Sequence, residues 1–119
     1  MDKVTKYRQI ICNFLTQQGK IMPLGETIES ETIFDEKLAL LRRSRWDRYL
    51  LIHLGWNGQK RIYSVLLHLE IKDDRVWIQE NNTDISVSEI LLEKGVNRED
   101  IILGLKPAFV RQYTGFGVA

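Results

Sequence analysis

Two stretches that alternate apolar and polar residues, Trp46 to Trp56 and Arg61 to Ile71, flank the dipeptide Asn57-Gly58. Nothing else in the chain constrains the fold as strongly. Period-two alternation marks a half-buried strand, and Asn-Gly is the strongest short hairpin signal because both central positions of a type I′ turn need positive φ. Centring the turn on Asn57-Gly58 pairs Trp56 with Gln59, Ile52 with Tyr63, Leu50 with Val65 and Trp46 with Leu69. Trp46, Leu50, Ile52, Leu54 and Trp56 then share a core face with Tyr63, Val65, Leu67, Leu69 and Ile71. A slip of one residue would put one strand's apolar set on the wrong side.

The meander continues through Asp73-Asp74 into RVWIQ. Pairing Lys72 with Arg75 sets Ile71 opposite Val76 and Leu69 opposite Ile78. Asp enters the left-handed region more readily than most residues, which suits a two-residue turn. The Thr- and Ile-rich run Glu26 to Asp35 supplies the first strand. From Glu36 to Arg45 the chain reads as a long connection, with EKLALL fitting either a helical turn or a strand extension and RRSR at the tip.

Val4, Tyr7, Ile11 and Phe14, widened by Ile10 and Leu15, predict an amphipathic N-terminal helix stopped by Gly19, with Pro23 beyond. Ser86 with Glu89 matches a capping box, and Val87, Ile90 and Leu91 form the stripe of a second helix that ends at Gly95. Asn97 to Asp100 reads as a helical turn and IILGL as a short strand. The tail PAFVRQYTGFGVA is apolar enough that it should dock. The expected architecture is α+β. An antiparallel β-meander of about four strands carries both helices on one face, with residues 1–119 forming a single domain.

Charge and cysteine content narrow the function classes. Seventeen basic against sixteen acidic residues give a net charge of +1, so no global electrostatic case for nucleic acid arises. The single cysteine, Cys12, rules out an internal disulfide and fits a reducing compartment. The start, MDKVTKYRQ, has no apolar signal region, and no apolar run approaches the roughly 18 residues of a membrane helix. A soluble cytoplasmic protein without membrane association is expected.

In the hairpin register above, Asp47 lies opposite His68, with Gln79 on the other side. An Asp can orient an imidazole for general-base work. Yet no nucleophile sits beside the pair, since Ser64 is four residues along the strand, roughly 13 Å away. A structural histidine is the simpler reading, and a small hydrolase is the least favoured function. His53 and His68 with one distant cysteine do not make a metal site, which needs three or four converging ligands. No phosphate loop or dinucleotide fingerprint is present. No catalytic residue, cofactor or metal is expected.

Basic residues cluster at Arg42, Arg43, Arg45 and Arg48, and again at Lys60 and Arg61. Direct DNA binding through Arg43, Arg45, Lys60 and Arg61, with Trp56 stacking on a base, is therefore an alternative function. The two groups lie toward opposite ends of a strand roughly 33 Å long, which argues for solvated loop tips instead. The outer sheet face, with Tyr49, Leu51, Ile62, Leu66 and Trp77 among Asp47, His53, His68, Glu70 and Gln79, is more apolar than a face open to water. Its own tail, a partner or a second copy in a homodimer would cover it.

Several stretches resemble the XisI family, the cyanobacterial fdxN-element excision controlling factors. They are KYRQII, HLGWNGQKRIY, LHLEIKDDRVWIQENNTD, EILLEKGVNREDIILGL and RQYTGFGVA, and they span nearly the whole chain. The G-W-x-G-x-x-R core, the W-I-Q strand and the R-x-Y-T tail carry the resemblance. There are departures: Asp73-Asp74 stands where Asp-Gly is usual, Gly115 and Gly117 replace an acidic residue and Ala, and Leu105-Lys106 replaces Phe and a polar residue. The connection from Asp35 to Tyr49 is longer than in most members, so the arginines within it inherit no family role.

The resemblance implies a non-catalytic regulator of programmed DNA-element excision in heterocyst-forming cyanobacteria. A separate recombinase does the chemistry, and a XisH-like protein is the implied partner. The apolar outer face and tail nominate Tyr49, Trp77, Arg111 and Tyr113 as partner contacts.

Overall fold

The computed structural model describes residues 2–21, 28–34 and 47–119. Helix α1 spans Lys3–Ile21. Asp2 caps it: its carboxylate accepts the Thr5 N–H at 2.8 Å, satisfying one of the donors that a helix start leaves unpaired. Val4, Tyr7, Ile11, Phe14 and Leu15 are its buried stripe. The helix runs through Gly19 rather than stopping there, because one glycine costs a helix interior only about 1 kcal/mol. Pro23 lies outside the described residues, as do the proposed ends of the first strand and the Glu36 to Arg45 connection.

Among the described residues the sheet has five strands in chain order: β1 (Ile28–Phe34), β2 (Asp47–Asn57), β3 (Lys60–Lys72), β4 (Arg75–Asn81) and β5 (Ile101–Ile102). The first four pair antiparallel, and β5 joins β4 in parallel, one strand more than expected. The other described elements are helices α2 (Val87–Glu93) and α3 (Ala108–Arg111) and a 3-10 turn at Arg98–Asp100.

The first hairpin departs from its expected register. The turn is centred on Gly58-Gln59, so Asn57 pairs with Lys60 and Trp56 with Arg61. Gly58 has φ +63° and Gln59 does not have positive φ, the pattern of a II′ turn with glycine first. Ile52 therefore faces Val65 instead of Tyr63. A bulge follows, with Leu66 as the extra residue of β3, and beyond it Leu51 faces Leu67, Tyr49 faces Leu69 and Asp47 faces Ile71. An extra residue reverses which side of the partner strand meets the core. The core side of β2 is consequently Asp47, Tyr49 and Leu51, all fully buried, while Leu50 is only half-buried and Trp56 is exposed. Tyr49, Leu51 and Leu66, expected on the outer face, belong to the core.

The second hairpin has the expected register: Lys72 pairs with Arg75, Ile71 with Val76 and Leu69 with Ile78. Asp73 and Asp74 both take positive φ, 55° and 62°, as a I′ turn demands. A second bulge then sets His68 opposite Glu80.

Ser86 stands at the start of α2, but its side chain makes no capping bond, contrary to the expected capping box. The preceding turn is organised by Asn81, whose Oδ1 accepts from the Thr83 N–H and hydroxyl and whose Nδ2 donates to the Ile85 carbonyl. At the other end Gly95 (φ +107°) reverses the chain, with Val96 N–H bonding Leu91 O at 2.9 Å and Gly95 N–H bonding Leu92 O. This is a Schellman ending, and Val96 and Leu91 are buried together in the core.

Both α1 and α2 contribute to one core with Leu67, Leu69, Ile71, Val76, Ile78 and Ile101. Fully burying each such side chain contributes on the order of 1.5–3 kcal/mol. The tail docks as expected: Gly117 N–H bonds Ile101 O at 2.8 Å and Arg75 donates to Val118 O at 2.9 Å.

Candidate functional site

Among the described residues three carboxylates are buried: Asp47, Glu70 and Asp100. Asp47 lies inside the sheet-helix layer because the bulge turns it inward. Its two oxygens accept from Arg8 Nε and from Arg8 Nη2, the latter at 3.2 Å, while Tyr49 O–H donates to it at 2.7 Å. The guanidinium is held above its ordinary pKa chiefly by that hydrogen-bonded carboxylate, so the pair is firmly ionic. Asp100 accepts from Tyr7 O–H at 2.6 Å and is paired with Lys3 at 3.1 Å. Tyr7 also accepts from the Asn97 N–H at 3.3 Å. Burial first, and the bond to Asp100 second, push its hydroxyl up to about 12. These two clusters fasten α1 to β2 and to the 3-10 turn.

This arrangement removes the Asp47–His68 pair from consideration. Leu50 and Glu80 flank His68 in the ladders, and its Nε2 lies 3.3 Å from Glu70 Oε1, a distance reached without hydrogen-bond alignment. His53 faces Ser64, not Ile62. Among the described residues no three of His, Cys, Asp and Glu gather into a metal-binding group. No helix among them is long and apolar enough to cross a membrane.

The four nominated partner contacts separate. Tyr49 is fully buried, which withdraws it from any surface. Trp77 lies on the opposite sheet face from the core, flanked by Lys72 Nζ at 5.2 Å and the Arg111 guanidinium at 5.3 Å from its ring centre. Arg111 fastens the tail, donating to the carbonyls of Leu103, Lys106 and Ala119 at 3.2, 3.1 and 2.9 Å. Tyr113 stands free at 80% exposure. Phe109, four residues earlier, is 73% exposed, and Leu105 is also exposed. Phe109 lies in α3 and Tyr113 two residues beyond its end, and the exposed Phe109 in AFVRQY is the residue that sequence reasoning passed over. The tail thus covers the Trp77 part of the outer face and offers its own aromatic pair in exchange.

Of the residues nominated for DNA, Arg43 and Arg45 lie outside the described residues. Trp56, Lys60 and Arg61 meet at the end of the first hairpin, all exposed, with the Arg61 guanidinium 5.3 Å from the Trp56 ring centre.

Comparisons agree with this fold over its full length. The family model described as XisI protein matches residues 1–118. A XisI-like protein from Anabaena variabilis ATCC 29413 is 36% identical, with a TM-score of 0.85 over 98% of this chain and 99% of that one. The fdxN element excision controlling factor XisI from the same organism is 32% identical, with a TM-score of 0.77 over 99% and 100%. No curated protein matches the chain. A family match across nearly every residue, together with two related structures of the same topology, means that this chain belongs to the XisI family.

Proposed function

We propose that this chain is a control factor for excision of a DNA element and acts by binding a XisH-like partner protein rather than by chemistry of its own. The observation that carries the reading is its likeness, end to end, to the fdxN element excision controlling factor XisI. The buried carboxylates Asp47 and Asp100 support the second half, since each is engaged by residues of α1 that fix the fold. The partner surface is the tail, where Phe109 and Tyr113 present aromatic side chains from a segment anchored by Arg111 and Gly117. Aromatic residues on a firm base are the usual anchors of a protein interface.

The test is co-purification with the XisH-like protein of the same genome, with the mass of the complex measured in solution. A complex of defined stoichiometry, weakened at least about tenfold by Phe109→Ser with Tyr113→Ser, supports the reading. Two folded proteins that do not associate overturn it. A second reading, DNA contact by the hairpin end, has the exposed Trp56–Arg61 stack in its favour. It requires binding that weakens steeply with salt.

A further inference from the structure

Strand β3 is longer than the partner on its outer side. It begins at Lys60, but β4 pairs with it only from Leu67 to Lys72. Asn82 extends the cover slightly, donating its N–H to Leu66 O and its Nδ2 to Val65 O, both at 2.8 Å. Among the described residues nothing pairs with that edge from Lys60 to Ser64, and Lys60, Arg61, Tyr63 and Ser64 are all exposed. Asn57 and Lys60 close the tight turn as a hydrogen-bonded pair, so Lys60, Ile62 and Ser64 direct their backbone groups to β2. Arg61 and Tyr63 direct theirs outward, toward the side on which Asn82 meets Val65.

We infer that this edge pairs with the same edge of a second copy of the chain, antiparallel and about a two-fold axis at Ile62. Arg61 then lies opposite Tyr63 of the second copy, and Tyr63 opposite its Arg61. The four outward N–H and C=O groups of each strand are satisfied in four hydrogen bonds, and Ile62 meets Ile62. Each guanidinium lies beside a tyrosine ring, a favourable cross-strand pair that occurs twice.

The neighbouring registers fail on visible grounds. Moved one way, Arg61 faces Arg61, with like charges directly opposed. Moved the other way, Arg61 must pair with Val65, whose carbonyl is already engaged by Asn82. Isolated charges on an edge strand ordinarily prevent such pairing. Here the charge at Arg61 is matched by an aromatic ring two residues on, which makes the edge self-complementary. The result is one continuous sheet running from β1 of one copy to β1 of the other, and it does not depend on the excision reading.

Sedimentation equilibrium of the full chain tests the inference. Wild type should show a mass that rises with concentration from the 14.0 kDa chain toward twice that value. Tyr63→Lys places a lysine opposite Arg61 at both pairs and should weaken association about tenfold or more, with an unchanged circular dichroism spectrum. Arg61→Glu combined with Tyr63→Lys turns both pairs into opposite charges and should restore the dimer. A mass of 14.0 kDa at every concentration up to the order of 1 mM overturns the inference. So does a Tyr63→Lys dimer as tight as wild type, or a double variant that stays dissociated.

Discussion

Replacing Arg8 with Met tests what holds α1 to the sheet. Asp47 has no exposed surface, and its oxygens are shared between Arg8 and the Tyr49 hydroxyl. Removing the guanidinium leaves a buried carboxylate with one neutral donor. Breaking a buried ion pair from one side costs about 3–5 kcal/mol. Arg8 keeps 32% of its side chain exposed, so water partly screens the pair, and the lower end, about 3 kcal/mol, is expected. That is a large share of the roughly 5–15 kcal/mol that stabilises a domain of this size.

Urea denaturation followed by circular dichroism measures it, with the denaturant slope confirming an unchanged unfolded state. A melting point lowered by roughly 12 °C should accompany it. The sign of a second change is diagnostic. Asp47→Asn in the Arg8→Met background removes the orphaned charge, still accepts from Tyr49, and should recover about 1–2 kcal/mol. An Arg8→Met loss below about 1 kcal/mol, or no recovery in the double variant, would refute an ionic fastening of helix to sheet.

Other outcomes follow from the same contacts. Tyr7 is neutral in the folded protein up to about 12, above its ordinary 10.0, so its contribution is complete below pH 10 and is lost as pH rises toward 12. Wild type minus Tyr7→Phe, compared by denaturation across that window, should show this decline; a constant difference contradicts it. A Cβ at Gly117 would lie 2.2 Å from the Glu99 carbonyl oxygen, so Gly117→Ala should displace the tail and cost about 1–3 kcal/mol, read as faster hydrogen exchange at the amide of residue 117, which donates to Ile101 O. Arg111→Ala loses its carbonyl contacts and its stacking on Trp77, about 2 kcal/mol, and should shift tryptophan fluorescence to the red while leaving the sheet folded.

The family and the α+β class were legible in the residues, and so was much of the local structure. The stripe from Val4 to Leu15 gave α1, and Asp73-Asp74 gave the second hairpin in its observed register. Such signals are local: a period or a turn is written within a few consecutive positions. The first hairpin misled because Asn57-Gly58 and Gly58-Gln59 are both competent turns. Choosing between them, and inserting a bulge at Leu66, depends on which side chains fit beneath α1, and that no local pattern records.

The candidate site suffered most from this, since one extra residue carried Tyr49 and Asp47 from the outer face into the core. Sequence alone thus determined α1, α2, the four antiparallel strands and the family. The tertiary structure decided which face of β2 is inside, that Arg8 and Tyr7 answer buried carboxylates 39 and 93 residues away, and that Arg111 anchors the tail while Tyr113 stays free. Those pairings are long-range, and only the packed chain brings their partners within hydrogen-bond reach.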